Sequence, residues 1–108
     1  MDDTEKLAAI FKALSDPSRL RIFRLLHDRS LGNNVPDECG GGPLCVNGLA
    51  ERLGITQSAV SQHLRILKQA ELVRGERRGS FMHYSVDQQG VAKYKATLLA
   101  VLEESKGE

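Results

Sequence analysis

The stretch VNGLAERLGITQSAVSQHLRILKQAELV, residues 46–73, holds two short amphipathic segments separated by a glycine. The first segment, residues 46–53, ends at Gly54, a residue type that readily adopts the left-handed conformation in which many helices terminate. The second, roughly residues 57–70, begins after Thr56, whose hydroxyl can accept a hydrogen bond from a backbone N–H of the first turn. The stretch therefore predicts two helices joined by a short turn.

The second predicted helix has two faces when its residues are placed at about 100° steps. Val60, Leu64 and Leu67 fall together and are expected to face the core. The remaining surface is polar at its N-terminal end and basic further along, with Gln57, Ser58, Ser61, Gln62 and Arg65. Because Gln and Ser can hydrogen-bond base edges and Arg can reach guanine or phosphate, these residues are predicted to contact double-stranded DNA. The alternative is a solvated surface helix.

The residues that follow, about 72–86, predict two strands that turn at Arg78-Gly79. Met82, Tyr84 and Val86 alternate on one face of the second strand, while His83 is expected to point outward into solvent. Arg77 and Arg78 make the tip of the hairpin basic, so they are predicted to contact DNA. A helix pair followed directly by a β-hairpin predicts a winged helix-turn-helix.

Helices are also predicted on both sides of this unit. Apolar residues recur at helical spacing in residues 4–14 and 88–104, and a further helix starts at Pro17 and runs to about His27. The predicted fold is mainly α with a β-hairpin wing, in the order ααααββα, as a single domain over residues 1–108. The first and last helices are interpreted as a homodimer interface, although they would equally well complete the core of a monomer.

Bulk composition is that of an ordinary globular protein. The chain has 108 residues, 41% of them hydrophobic and 27% charged, and a net charge of +1. Residues 55–84 are locally basic, with five Lys or Arg against two Glu. The sequence contains no apolar run long enough to cross a membrane and starts with acidic residues, so a cytoplasmic protein is expected.

An enzyme is not expected, because GGGP, residues 40–43, is followed by LCV and lacks the lysine of a phosphate-binding loop. The sequence also has no pair of acid and base residues at a spacing that would indicate catalysis. A winged-helix module for protein–protein contacts remains the alternative to a DNA-binding protein. His63 lies near the apolar edge of its helix and is interpreted as a packing or phosphate-contact residue.

Three segments of the sequence resemble the ArsR/SmtB family of winged-helix repressors. They are FKALSDPSRLRIFRLL at residues 11–26, LAERLGITQSAVSQHLRILKQAELV at residues 49–73 and GERRGSFMHYSV at residues 75–86. With the flanking helices, the resemblance covers nearly the whole chain outside residues 30–44. It implies a homodimeric repressor that leaves its operator when an effector binds.

The effector question centres on CGGGPLC, residues 39–45, which holds both cysteines of the chain. Many metal-sensing members of the family carry ELCVCDL where this chain has PLCVNGL, so Cys45 matches the first thiol of that motif and Asn47 replaces the second. Beyond Asp87, the last helix lacks the ligand set that other members use there. The usual inter-subunit zinc site is therefore not expected.

Three interpretations of Cys39 and Cys45 stay open. The leading hypothesis is a soft metal or metalloid ion such as arsenite, cadmium or zinc bound by both thiolates, with a further donor from Asp37, Glu38, His27 or a partner chain. The first alternative is a redox-sensing disulfide, because the glycine turn can bring the two cysteines within bonding distance. In the second alternative the thiols have no function.

Overall fold

The computed structural model describes residues 3–30 and 44–104. Its elements are α1 (Asp3–Leu14), α2 (Pro17–Ser30), β1 (Leu44–Cys45), α3 (Val46–Leu53), α4 (Gln57–Gln69), β2 (Val73–Arg78), β3 (Phe81–Val86) and α5 (Gln88–Glu104). The predicted order of five helices and a hairpin is confirmed, with the two-residue strand β1 as an addition. The ends of the predicted loop at residues 29–45 belong to α2 and β1, and residues 31–43 lie outside the described part of the chain.

Side chains at the junction between α1 and α2 satisfy backbone groups that the two helices leave unpaired. The Asp16 carboxylate accepts a hydrogen bond from the Ser18 N–H at 3.0 Å, as an N-cap of α2. The Arg19 guanidinium donates from Nε to the Ala13 carbonyl at 2.7 Å, close to the end of α1. Asp16 thus caps the start of α2, and Arg19 connects this start to the end of α1.

The helix pair α3–α4 ends and restarts as predicted. Gly54 adopts the left-handed conformation with φ 67° and ψ 32°, and its N–H donates to the Ala50 carbonyl. Thr56 is the N-cap of α4, and its hydroxyl accepts from the Ala59 N–H at 3.0 Å. These two residues fix where α3 ends and where α4 begins.

The three strands form an antiparallel sheet in the order β1-β3-β2. Arg78 pairs with Phe81, so the wing turns at Gly79-Ser80, one residue later than predicted. Gly79 has φ 61°, a conformation that a residue without Cβ adopts without strain. The hairpin itself is confirmed.

The predicted exposure of His83 is wrong, since this residue is only 5% exposed. Strand β3 is the central strand of the sheet, and His83 faces Cys45 of β1 on one side and Glu76 of β2 on the other. A two-residue strand has no sequence period of its own, so β1 could not be predicted from periodicity. Val86 on the same strand is buried as expected, whereas Met82 and Tyr84 are only half-buried.

The core lies between the helices and one side of the sheet. Its fully buried side chains come from α2, α3, α4 and β2, and they include Ile22, Leu26, Leu49, Val60, Leu64, Leu67 and Val73. Leu7, Ile10 and Ala13 of α1 are buried as well. The winged unit is thus anchored through its apolar faces, which leaves the opposite face of α4 on the surface.

Candidate nucleic-acid interface

Helix α4 divides its residues between core and surface as its sequence predicts. Val60, Leu64 and Leu67 are at most 1% exposed. The opposite face is exposed throughout and carries the predicted DNA-contacting residues Gln57, Ser58, Ser61, Gln62 and Arg65, followed by Lys68 and Gln69. This face offers neutral hydrogen-bonding groups near the start of the helix and positive charge towards its end.

The side chain of Gln57 is already engaged within the protein. Its Nε2 donates a hydrogen bond to Oδ1 of Asn47 on α3. This contact ties the first turn of α4 to the first turn of α3. Ser58, Ser61, Gln62 and Arg65 have no such cross-helix bond among the described contacts, so they are the better candidates for reading bases.

The wing adds positive charge on a second element. Arg77 and Arg78 are both exposed, as is Arg74, a residue of the basic segment that was not predicted to contact DNA. Alternation along β2 places Arg74, Glu76 and Arg78 on the same face of the strand. The Arg78 guanidinium lies 3.5 Å from the Glu76 carboxylate, an exposed pair that contributes little to stability. Arg78 therefore remains accessible for an external phosphate.

His63 packs at the edge of α4 and not on its polar face. Its Nδ1 is buried and lies 3.9 Å from the Asp16 carboxylate, which is too long for a hydrogen bond. The contact links the recognition helix to the residue that caps α2. Of the two roles predicted for His63, this position fits packing.

Cys45 occupies the N-cap of α3, the first helix of the pair. Its backbone is extended, with φ −97° and ψ 169°, and its Sγ accepts a hydrogen bond from the Gly48 N–H at 3.4 Å. The side chain is 1% exposed and is disulfide-bonded. Cys39, the other predicted effector residue, lies outside the described residues.

A metal site cannot be assembled from the described residues alone. Within residues 3–30 and 44–104, no group of three or more His, Cys, Asp or Glu is placed to hold an ion. A site built on Cys45 would need donors from the remaining part of the chain or from a second chain. The predicted metal or metalloid ligand set therefore stays a prediction.

The structure has the features of a winged helix-turn-helix DNA-binding protein. These features are two helices joined at a left-handed glycine, a polar and basic outer face on the second helix, and a basic hairpin. The sequence profile of the bacterial regulatory protein, arsR family, matches residues 39–74, which span the helix pair. The similarity to a curated repressor extends over the whole chain. The chain belongs to the ArsR family of DNA-binding transcriptional repressors.

Two curated relatives come from Bacillus subtilis. The transcriptional repressor SdpR is 37% identical over 78 residues, which cover 72% of either chain. The arsenical resistance operon repressor is 33% identical over 113 aligned positions, covering 100% of this chain and 96% of that protein. Among solved structures, an ArsR-like transcriptional regulator from Rhodococcus sp. RHA1 superposes with a TM-score of 0.73 at 26% identity, covering 95% of this chain and 85% of the other.

In the part of the chain that the structure describes, no helix combines the length and the apolar character that crossing a bilayer requires.

Proposed function

We propose that this protein is a homodimeric repressor that reads a palindromic operator with α4 and the wing, and that oxidation of Cys39 and Cys45 to a disulfide releases it. The observation that carries the DNA-binding part is the two-faced helix α4, with Val60, Leu64 and Leu67 in the core and an exposed polar face opposite them. The observation that carries the release part is the position of Cys45.

Apolar side chains left on the surface support the homodimer. Phe11 of α1 is 53% exposed, and Leu99 and Leu102 of α5 are 46% and 60% exposed. Because α1 packs against α5, these side chains lie on one helix pair. A winged helix-turn-helix DNA-binding domain from Mycobacterium bovis, described as homodimeric, shares the fold with a TM-score of 0.65 at 23% identity over 93% of this chain and 82% of the other. Covering this surface with a second copy would present two recognition helices to DNA.

Only a few contacts separate the sulfur of Cys45 from α4, the recognition helix. Its Sγ holds the Gly48 N–H in the first turn of α3. The neighbouring Asn47 accepts the hydrogen bond from Gln57, the first residue of α4. Moving the start of α3 therefore moves a partner of α4 as well.

The proposed switch is a two-electron oxidation. Two thiols lose two protons and two electrons and form one S–S bond, while hydrogen peroxide, as the oxidant, is reduced to two molecules of water. Tenfold weaker operator binding needs a coupling free energy of about 1.4 kcal/mol, and typical couplings of about 1–3 kcal/mol are sufficient. The disulfide-bonded state of Cys45 is the observation that favours this switch.

A soft metalloid is the second candidate effector. The observation in its favour is the 33% identity, over the whole chain, to a repressor named for an arsenical resistance operon. Arsenite would bind the thiolates of Cys39 and Cys45 and would need a third donor. An ion of this kind and a disulfide exclude each other at the same two sulfurs.

The test is operator binding by the wild-type protein and by Cys45→Ser, each titrated separately with hydrogen peroxide, arsenite and cadmium. The serine variant is a matched control because a hydroxyl can also cap α3 by accepting from the Gly48 N–H. The operator is a duplex selected by the reduced wild-type protein from a random pool. Binding is followed by fluorescence anisotropy.

The proposal predicts release of the wild type by peroxide, reversal by dithiothreitol and no response of Cys45→Ser. Release by arsenite or cadmium, lost in the serine variant, would instead support the ion. An identical response of both proteins to all three reagents would show that the cysteines have no sensing role.

A further inference from the structure

The turn after the recognition helix contains an unusual glutamate. The Leu72 N–H donates to the Leu67 carbonyl at 3.0 Å and the Glu71 N–H to the Lys68 carbonyl at 2.9 Å, the pattern of a Schellman motif. Its left-handed residue is Glu71, with φ 63°, the one non-glycine residue with positive φ in the described ranges. Glycine is favoured at such a position because a Cβ is unfavourable there. The contacts that Glu71 makes must therefore explain why a glutamate occupies this left-handed position.

The side chain of Glu71 reaches across to α5. Its Oε1 accepts a hydrogen bond from the Tyr94 hydroxyl at 3.3 Å and lies 3.5 Å from Nζ of Lys93. Burial, followed by the charge and the hydrogen bond of Glu71 and the charge of Asp87, raises the pKa of Tyr94 above its usual 10.0. The pair with Lys93 is more than half exposed on both sides and contributes little. Tyr94 is thus the more specific of the two partners.

The backbone of the same turn abuts the first turn of α5. A Cβ built at Gly90 would lie 1.9 Å from the Glu71 carbonyl oxygen, so no larger residue fits without movement of the backbone. The Asp87 N–H donates to the Leu72 carbonyl at 3.0 Å, and the Asp87 carboxylate caps α5 by accepting from the Gly90 N–H at 3.0 Å. Helix α5 therefore starts directly against the end of α4.

We infer that Glu71 is a positioning residue that fixes the angle between the recognition helix α4 and α5. This inference rests on the proposed function, in which the distal half of α5 contributes to the dimer interface through Leu99 and Leu102. In such a dimer the Glu71–Tyr94 bond and the Glu71–Gly90 contact transmit the geometry of the interface to the two recognition helices. They set the separation of the half-sites that the dimer reads.

The experiment compares the wild type with Glu71→Gly, Tyr94→Phe and the matched control Lys95→Ala, an exposed position on α5. Glu71→Gly removes the side chain but suits the left-handed backbone, so the turn is expected to survive. Dimerisation is measured by sedimentation. DNA binding is measured on an isolated half-site and on the selected palindrome, with the half-site spacing changed by one base pair in either direction.

Glu71→Gly and Tyr94→Phe should dimerise and bind the isolated half-site as the wild type does, yet bind the palindrome about fivefold or more weakly and with a broader preference for spacing. Lys95→Ala should behave as the wild type. Unchanged palindrome affinity and spacing preference in both variants would overturn the inference. Equal loss on half-site and palindrome would also overturn it, because that result indicates a purely structural role. A wild type that is monomeric or does not bind the palindrome would count against the proposed function itself.

Discussion

At the scale of single residues, Gln62 and Arg78 occupy different parts of the interface and are expected to contribute differently to DNA binding. Gln62 is exposed on the polar face of α4, where a helix lying in the major groove would place it against base edges. Arg78 is exposed at the end of β2, beside the tip of the wing, where we expect it to contact the phosphate backbone. We therefore expect Gln62 to provide sequence discrimination and Arg78 general affinity.

We predict that Gln62→Ala loses about 1–3 kcal/mol of discrimination between operator and random duplex, if Gln62 makes a bidentate base contact. Arg78→Ala should weaken binding to both duplexes alike and reduce the salt slope by about one. Anisotropy titrations of both variants over a range of salt concentrations measure the two effects. Equal losses of Gln62→Ala on operator and random DNA would contradict the base-reading role.

At the scale of helices and strands, features with local causes could be predicted from the sequence. Gly54 and Thr56 fix the ends of α3 and α4 through their own backbone and side-chain chemistry, and both predictions are confirmed. His83 was predicted to be exposed. This prediction was wrong because the burial of His83 depends on β1, a strand that pairs with β3 from a distant part of the sequence. Long-range pairing leaves no local period to read.

The conformation of Glu71 and its contact with Tyr94 were missed for a similar reason. A left-handed helix end is signalled in the sequence by Gly or Asn, and neither stands at this position. The two residues are 23 positions apart and meet only once α5 has docked. The predicted DNA-contacting residues of α4, in contrast, follow from helical periodicity alone, and the structure leaves all of them exposed.

The contact between Glu71 and Tyr94, which links α4 to α5, predicts that the stability of the fold depends on pH. Because the folded protein favours the protonated form of Tyr94, the stabilising contribution is present below the unfolded pKa and is lost as the pH rises through the higher folded pKa. In a Tyr84→Phe background, Tyr94 should ionise at a higher pH than free tyrosine, as followed by phenolate absorbance. Glu71→Gln should lower this pKa, since it removes a neighbouring negative charge. The same titration curve with and without Glu71→Gln would exclude the contact in solution.

At the scale of the whole molecule, the two ends of α5 lie at two different surfaces. Its first turn meets the end of α4 through Gly90, and its distal half leaves Leu99 and Leu102 exposed. A second copy that covers the distal half would therefore be connected to the recognition helix through one continuous element. This arrangement makes dimerisation and operator reading parts of the same proposal.

The variant Leu102→Glu tests the proposed dimer interface without disturbing the fold of the single chain. Leu102 is 60% exposed in the single chain, so a glutamate there stays solvated unless a partner covers it. In the proposed interface the charge would be buried, which is strongly unfavourable. Ala92→Glu is the matched control, because it makes the same change of charge at another exposed position of α5.

The most direct measurement is the stoichiometry and salt dependence of the reduced protein on the selected palindrome, determined by analytical ultracentrifugation for the wild type, Ala92→Glu and Leu102→Glu. The wild type and Ala92→Glu should place two chains on each duplex, with an affinity that falls steeply as salt rises. Leu102→Glu should remain folded, sediment as a monomer and lose the palindrome. A wild type that is monomeric at micromolar concentration, or one chain bound per palindromic duplex, would contradict a dimer that reads its operator with two copies of α4.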